Sequence, residues 1–190
     1  MCSHGGCGSS HIHTSGQEVS GSRWLYPAVN LAGVACLNED APGSGAAVIK
    51  SYGERLEPLP ACTSDEGPEL LFVVPFSEMV RVRSICVVRG RGIAGARLWA
   101  NRTDVDFFNA ETTAPTSVLT GLFFNENGLV DFPLNAAKFS HVTSLCILLT
   151  GAGDSISLSC LGFKGEWTGL KDGVVEVCLF SLSRARARGG

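Results

Sequence analysis

The strongest constraint on the fold of this chain is an alternation of apolar and polar residues with a period of two. The alternation is clearest over residues 80–88, where arginines stand between apolar side chains. Successive side chains of a β-strand point to opposite faces of a sheet, so this spacing predicts a strand with two different faces. The apolar face is predicted to hold Val80, Val82, Ser84, Cys86 and Val88. The opposite, basic face is predicted to hold Arg81, Arg83 and Arg89.

Similar short runs recur along the chain and are separated by turn-forming residues. They lie at residues 70–74, 96–100, 118–124, 129–132, 145–149, 156–163 and 174–182. Asn127-Gly128 is a hairpin signal, because both residues tolerate the positive φ of a tight turn. Helix is expected only as a turn or two near residues 30–35 and 136–139. About eight strands with regular turns predict an all-β fold, an antiparallel β-sandwich of the jelly-roll type.

The chain divides into three compositional zones. Residues 1–21 form a tail rich in Gly, Ser, His and Cys, which has too little apolar surface to fold and is expected to be disordered. Residues 22–182 contain every tryptophan, tyrosine and phenylalanine and are predicted to form the folded domain. Residues 183–190 form a basic Arg/Gly tail that carries Arg184, Arg186 and Arg188.

Charge and hydropathy exclude several classes of protein. The formal net charge is −3, which lacks the basic excess of a nucleic-acid-binding domain, so no nucleic-acid partner is expected. The apolar runs are far shorter than the roughly 20 residues that span a bilayer, so no membrane association is expected. The first residues lack the basic and apolar regions of a secretory signal. We therefore expect a monomeric protein that is not secreted and that resides in the cytoplasm, with the nucleus as a second compartment.

Catalytic motifs are missing from the sequence. No nucleophile elbow, phosphate-binding P-loop or metalloprotease H-E-x-x-H pattern occurs. Residues 90–95 match the dinucleotide motif G-x-G-x-x-G, but that motif needs a following helix, and residues 96–100 are too short for one. We interpret this stretch as a glycine-rich connection between strands. The sequence therefore predicts a protein without catalytic activity and without a cofactor.

The N-terminal tail gathers thiols and imidazoles, which are ligands that suit zinc or copper. They are Cys2, His4, Cys7, His11 and His13, and their spacing differs from that of a zinc finger. We treat them as weak metal candidates and expect no metal in the folded domain. A metal- or redox-responsive protein that acts through this tail is one alternative hypothesis for the function.

The other cysteines divide by their surroundings. Five lie among apolar neighbours, where a thiol in a reducing compartment packs as a small hydrophobic group. They are Cys36, Cys86, Cys146, Cys160 and Cys178. Cys62 is assigned to a polar loop.

Several sequence strings, in this order along the chain, resemble one protein family. They are Cys36-Leu37-Asn38-Glu39 with Gly43-Ser44-Gly45, then Glu69-Leu70-Leu71-Phe72 with Pro75-Phe76, then Gly162-Phe163-Lys164-Gly165-Glu166-Trp167. Over residues 29–178 this order resembles the PITH domain, which occurs at the C-terminus of a thioredoxin-like protein and also as a stand-alone protein. The motif residues expected to be structural are Cys36, Leu37, Asn38, Glu39, Gly43, Gly45, Arg55, Leu71, Phe72, Pro75, Phe76, Gly162, Gly165 and Trp167.

The resemblance implies a jelly-roll β-sandwich similar to galactose-binding domains, which agrees with the alternation. It also implies a non-catalytic protein-interaction module, an adaptor or regulator that docks to the regulatory particle of the 26S proteasome. This sequence has no thioredoxin domain, so reductase activity is not implied. The alternative from a different class is a jelly roll that binds a small ligand or glycan through the loops at one end of the sandwich.

The candidate partner-binding residues are arginines of the predicted basic face and tail, with one acidic and one aromatic neighbour. They are Arg81, Arg83, Arg89, Glu166, Trp167, Arg184, Arg186 and Arg188. Arginine and tryptophan dominate protein–protein hot spots. Trp167 is also a candidate for core packing, and a solvated face is the alternative to a docking surface for the arginines.

Three local structures are expected around the motif residues. Asn38-Glu39 should fix the loop at residues 43–45 through hydrogen bonds from side chain to backbone. Arg55 is expected to pair with Glu39 or Glu54. Pro75-Phe76 is expected to end a strand and to place an aromatic ring in the core.

Overall fold

The computed structural model of the protein describes residues 23–121 and 125–167. These residues form ten β-strands, one short α-helix and two short 3-10 turns. The strands are β1 Arg23–Trp24, β2 Ala35–Leu37, β3 Cys62–Thr63, β4 Glu69–Val88, β5 Ile93–Ala100, β6 Ser117–Thr120, β7 Phe132–Pro133, β8 Val142–Gly151, β9 Ser157–Leu158 and β10 Cys160–Trp167. The 3-10 turns span Tyr26–Ala28 and Leu31–Gly33, and helix α1 spans Ser44–Ala47.

Strand β4 organises the sandwich because it is long enough to contribute to both layers. Its first half pairs antiparallel with β2 and β8, and its second half pairs antiparallel with β7 and β10. The ladder with β8 is irregular between Pro75 and Val80, where the two halves meet. Strands β5 and β6 extend the layer of β8, and β1 extends the layer of β10. The fold is an antiparallel β-sandwich, which confirms the class predicted from the alternation.

The central core lies between the two layers and takes side chains from both. Phe72 on the first half of β4 and Ile85 on its second half are fully buried in the same apolar cluster. Ile147 on β8 and Phe163 on β10 complete it from the neighbouring strands. The Phe163 ring meets Phe76 edge to face, with ring centres 5.9 Å apart. One continuous core therefore joins both halves of β4.

Two smaller apolar clusters lie on the outer faces of the layers. The cluster covered by the segment after β5 contains Leu71, Trp99, Val105, Ala110, Cys146 and Leu148. The cluster covered by Trp24 contains Cys86, Val88 and Cys160. Burial raises the pKa of Cys86 to about 12 and the pKa values of Cys146 and Cys160 to about 11. These thiols stay protonated at neutral pH and pack as small hydrophobic groups, as expected.

A β-bulge in β4 overturns the predicted assignment of faces over residues 80–88. Opposite Lys164-Gly165 of β10, strand β4 carries one extra residue, Arg83. A bulge shifts the alternation of side chains by one position. Val82 therefore faces the central core, whereas Cys86, predicted on the same face, lies in an outer cluster.

The hairpin predicted at Asn127-Gly128 is wrong. The strands on either side of it, β6 and β7, pair with β5 and β4 and not with each other. The loop at residues 125–130 is closed by Asn125, whose Nδ2 donates to the Val130 carbonyl at 3.0 Å. Gly128 takes a positive φ of 64° and packs against Leu56, whose Cδ2 would lie 3.1 Å from an added Cβ. Packing between two loops replaces the expected strand pairing.

Helical turns are sparse, as predicted, but only one of the two expected positions holds one. The 3-10 turn Leu31–Gly33 lies within residues 30–35, whereas residues 136–139 form turns without helix. Helix α1 forms where no helix was expected. The connection predicted at residues 90–95 is shorter in the structure, because β5 already begins at Ile93, and Gly92 takes a positive φ of 72° just before it.

Three predicted segments fall outside the described residues: the strand at residues 174–182 and the two tails. In the part of the chain that the structure describes, no helix has the length and apolar character needed to cross a membrane.

Candidate functional site

The strand pair of β4 and β10 brings three predicted partner-binding residues together. Arg81 lies opposite Glu166 in the antiparallel register. Glu166 Oε2 lies 3.3 Å from Arg81 Nη1, and Glu166 Oε1 lies 2.6 Å from Arg83 Nη2 and 2.9 Å from Arg83 Nε. The exposed fraction is 43% for each arginine side chain and 37% for Glu166. We call Arg81, Arg83 and Glu166 the arginine–glutamate cluster.

The two arginines keep Glu166 in its charged form. Hydrogen bonds from Arg83, together with the positive charges of Arg83 and Arg81, hold the pKa of Glu166 below its ordinary range. A carboxyl group with a depressed folded-state pKa stabilises the fold at pH values above its unfolded pKa of about 4.3. This contribution is lost as the pH falls through the folded-state pKa.

Replacing Arg83 with alanine should raise the pKa of Glu166 towards its ordinary value, because Arg83 supplies the largest favourable interaction with that carboxylate. Replacing Arg81 should raise it less, since the Arg81 contact is the longer one at 3.3 Å. The side-chain carboxyl chemical shift of Glu166, followed by NMR from acid to neutral pH, measures both changes. An unchanged pKa in Arg83→Ala would contradict the ion pair.

The remaining partner-binding candidates do not all join the cluster. Trp167 is half-buried and packs against the central core, so it serves the packing role while part of its surface stays exposed. Arg89 lies beyond the end of β4, takes a positive φ of 51° and donates from Nη1 to the Leu56 carbonyl at 2.8 Å. Its predicted place on the same face as Arg81 is wrong. The tail candidates outside the described residues are Arg184, Arg186 and Arg188.

Glu39 fixes the turn that leads into α1, as expected. Its Oε1 accepts a hydrogen bond from the Gly43 N–H at 2.6 Å, and its Oε2 accepts one from the Gly45 N–H at 2.6 Å. Ser44 Oγ also donates to Oε2 at 3.3 Å. Gly43 takes a positive φ of 85°, and Gly45 lies so close to Cys36 that an added Cβ would overlap the Cys36 side chain. The motif glycines therefore allow the turn to form and to pack.

Asn38 ties the same turn to the segment before β4. It takes a positive φ of 68°, which is uncommon outside glycine but tolerated by asparagine. Its Nδ2 donates to the carbonyls of Glu66 and Glu69, both at 2.7 Å, and its Oδ1 accepts from the Glu66 N–H at 3.0 Å. The side chain thus forms hydrogen bonds with three backbone groups of residues 66–69.

A pair of thiols lies against this turn. The Sγ atoms of Cys36 and Cys62 and a carboxylate oxygen of Glu39 all lie within 4.8 Å of one another. Cys62 is fully buried in the central core, so its assignment to a polar loop is wrong. A hydrogen bond from Cys36, and another from Ser44, lower the pKa of Cys62 despite burial. The pKa of Cys36 is raised, first by its hydrogen bond to Cys62 and second by burial.

No spacing pattern in the sequence indicates this thiol pair. Cys36 lies in β2, which pairs with β4, and Cys62 lies in β3, which pairs with β9. The link between the two segments is a bridge of Glu39 with Ser64 and a hydrogen bond from the Asp40 N–H to the Thr63 carbonyl at 2.9 Å. Such contacts depend on the tertiary fold.

Arg55 does not form the predicted pair with Glu39 or Glu54. Its guanidinium carbon lies 3.7 Å from the centre of the Tyr52 ring, and its Nη1 donates to the Tyr52 carbonyl at 2.6 Å. Glu54 instead accepts a hydrogen bond from Ser51 Oγ at 2.6 Å. Arg55 is therefore held by a local cation–π contact and a backbone carbonyl.

The apolar motif residues of β4 are structural. Leu71 and Phe72 are fully buried, and Phe76 is placed in the core as expected. Pro75, however, does not end a strand, because β4 continues beyond it. Leu37 at the end of β2 has an exposed fraction of 42% and contributes little to the core.

The two motif glycines of β10 permit close packing. An added Cβ at Gly162 would overlap the ring of Trp24, and one at Gly165 would overlap the Arg81 carbonyl oxygen. The Trp24 ring is fixed over Gly162 because its Nε1 donates to the Lys50 carbonyl at 2.8 Å. Side chains at these positions would separate β10 from its neighbours.

A cavity of about 300 Å³ lies beside α1. In the described part of its lining, Tyr26 is the one aromatic residue. Lys50 Nζ, which also lines it, donates to the carbonyls of Glu57 at 2.9 Å and Pro60 at 3.0 Å. The glycan hypothesis requires several aromatic rings and convergent free polar groups. The described lining of this cavity lacks several aromatic rings, and glycan binding stays a prediction.

Solved structures with a similar fold include carbohydrate-binding modules. The CBM32-1 and CBM32-2 domains of Clostridium perfringens ZmpB, in complex with GalNAc, match with a TM-score of 0.53 and 14% identity, over 75% of this chain and 35% of that chain. A structure that adds the M60 catalytic domain of ZmpB matches with a TM-score of 0.51 and 13% identity, over 77% of this chain and 17% of that chain. At these identities the likeness establishes the jelly-roll fold alone.

Sequence comparisons establish the family. The PITH domain model matches residues 15–180. PITH domain-containing protein ZK353.9 of Caenorhabditis elegans is 31% identical over 177 residues, which cover 88% of this chain and 83% of the relative. PITH domain-containing protein 1 of Xenopus laevis is 29% identical over 184 residues, which cover 94% of this chain and 87% of the relative. The chain therefore belongs to the PITH domain family.

Proposed function

We propose that this chain is a non-catalytic protein-docking domain that binds the regulatory particle of the 26S proteasome. The observation that supports this most directly is the arginine–glutamate cluster, in which two guanidinium groups share one carboxylate on an exposed strand pair. The three formal charges sum to +1, so the cluster keeps a positive surplus. The non-catalytic part of the proposal is also supported by membership in the PITH family, whose model and relatives are named without a catalytic activity.

The cluster is suited to binding more than to folding. Exposed ion pairs add little to stability, because water and salt screen them. The shared carboxylate holds both guanidinium groups in place, so less side-chain entropy is lost when a partner binds. Each guanidinium group has five N–H donors, and Arg81 uses one and Arg83 two towards Glu166. Donors therefore remain for the carboxylates of a partner.

The partner that fits this surface is an acidic protein face. Charged surfaces of opposite sign attract one another during encounter and fix the orientation of the complex. Trp167 follows Glu166 on β10, but its side chain packs against the central core on the other face of the strand, so the arginines carry this surface. Both arginines are on a paired strand, so their positions are more rigid than those of loop residues. Binding should weaken as the salt concentration rises.

Reversing both charges tests the proposal. The double variant Arg81→Glu/Arg83→Glu should bind the purified proteasome regulatory particle roughly 30-fold more weakly, the loss expected for a hot spot. Arg102→Glu is the matched control, because Arg102 is also an exposed partner of a carboxylate, with its Nε 2.6 Å from Asp104, but lies after β5. Biolayer interferometry at two salt concentrations measures the affinity, and urea unfolding confirms that each variant folds.

Two outcomes would contradict the proposal at different levels. A folded double variant with wild-type affinity would show that the partner contacts another surface of the domain. Failure of the wild-type chain to bind the purified regulatory particle would remove proteasome docking as its function.

A further inference from the structure

Three metal-ligating side chains converge where the turn before α1 meets β2 and β3. They are Cys36 of β2, Cys62 of β3 and Glu39 of the turn, whose ligand atoms lie within 4.8 Å of one another. Cys62 is fully buried, and the other two are half-buried. Thiolate and carboxylate ligands on separate segments form a pocket that the folded chain assembles.

The carboxylate is already oriented in the way that metal-ligating carboxylates usually are. Ligating groups are held by hydrogen bonds from a surrounding shell, which fixes their direction. Here Glu39 Oε1 accepts from the Gly43 N–H, and Oε2 accepts from the Gly45 N–H and from Ser44 Oγ. An oxygen of a carboxylate offers two lone pairs. Oε1 has one of these partners and Oε2, which lies on the side of Gly45 and Cys36, has two, so a cation bound by Oε2 would replace the longer contact from Ser44.

The charges of the three groups also favour a bound cation. Two thiolates and a carboxylate whose ligand atoms lie within 4.8 Å of one another repel when all three are charged. A divalent cation placed among them would reverse that repulsion, since two thiolates and one carboxylate carry a total charge of −3.

We propose that Cys36, Glu39 and Cys62 form a binding site for one thiophilic divalent metal ion of the zinc class. This inference is independent of the docking function, and it departs from the expectation that the folded domain holds no metal. Zinc is bound tetrahedrally with Zn–S distances of about 2.3 Å, so two sulfur ligands lie roughly 3.8 Å apart. The two sulfur atoms, which lie within 4.8 Å of each other, therefore need to approach by no more than about 1 Å.

The binding step is balanced by proton release. The metal forms bonds to both sulfur atoms and to one Glu39 oxygen, and the two thiol protons pass to the solvent. No electron is transferred. A water molecule is the expected fourth ligand, because the described cluster supplies three ligands.

The test is a titration of the reduced, metal-free full-length protein with cadmium ions, which report thiolate ligation by charge-transfer absorbance. The tail variant Cys2→Ser/Cys7→Ser should retain one strongly bound equivalent and its absorbance. Cys36→Ser and Cys62→Ser, made in that background, should each lose it. Cys146→Ser is the control for replacing a buried thiol elsewhere, since Cys146 is fully buried in the outer cluster under Trp99, and it should retain the signal.

A second measurement does not depend on whether the variants fold. In the wild-type chain, cadmium should slow alkylation of Cys36 by at least tenfold, as read by mass spectrometry of the labelled peptides. Unchanged alkylation of Cys36 would overturn the proposal, and so would full cadmium uptake by folded Cys36→Ser or Cys62→Ser. Complete loss of uptake in the tail variant would also overturn it, because the metal would then belong to the tail.

Discussion

The Gly165→Ala substitution is expected to lower the free energy of unfolding by about 3 kcal/mol, the upper end of the range for overpacking a protein interior. Gly165 lies at the β-bulge in the ladder between β10 and β4. An added Cβ would overlap the Arg81 carbonyl oxygen and would approach Leu25 Cδ1 to 3.1 Å. The carbonyl belongs to the backbone ladder and cannot rotate away as a side chain can, so the two strands must separate.

Urea denaturation at equilibrium, followed by tryptophan fluorescence, measures this loss. Gly53→Ala is the matched control, because no atom lies within 4 Å of the position that its Cβ would take. Its stability should stay within about 0.5 kcal/mol of wild type. Equal midpoints for the two variants would show that β10 can move away from β4 without cost, and would contradict the close approach at the bulge.

The same bulge shows where prediction from the sequence reaches its limit. The period of two over residues 80–88 predicted a strand, and that is confirmed. The alternation could not reveal that Arg83 is an extra residue, because the bulge arises from pairing with β10, which is remote in sequence. One extra residue moves every later side chain to the other face. The strand was predictable from local pattern, whereas its faces were not.

The candidate sites divide in the same way. The turn fixed by Glu39 was predictable, because its partners Gly43 and Gly45 follow within a few residues. The sharing of Glu166 by Arg81 and Arg83 depends on the register of two strands far apart in sequence. The burial of Cys62 depends on β3 pairing with β9. The family resemblance pointed to Cys36, Glu39 and Glu166 but not to the residues that meet them. Tertiary contacts determine that Arg81 and Arg83 meet Glu166 and that Cys62 meets Cys36.

Replacing Trp99 with alanine should lower the free energy of unfolding by about 4 kcal/mol, within the usual range for removing a fully buried aromatic ring. Trp99 on β5 is 1% exposed. Its ring lies in a cluster with Leu71 and Cys146 on the outer face of the sheet. Two residues of the segment that follows β5, Val105 and Ala110, belong to the same cluster. Trp99 Nε1 also donates to the Thr113 carbonyl at 3.1 Å. The ring therefore holds the covering segment onto the sheet by packing and by one hydrogen bond.

Two further variants separate these contributions. Trp99→Phe keeps most of the apolar volume but leaves the Thr113 carbonyl without its donor, so a loss of about 1–3 kcal/mol is expected. Phe108→Ala removes an aromatic ring from the same segment, but Phe108 is 97% exposed. The free energy of unfolding of this variant should therefore stay within about 0.5 kcal/mol of wild type. Hydrogen exchange of residues 101–116 reports the covering segment directly. If Trp99→Ala unfolds at the wild-type urea midpoint and these amides keep their protection, the segment is held by contacts other than Trp99, and the outer cluster does not stabilise the sandwich.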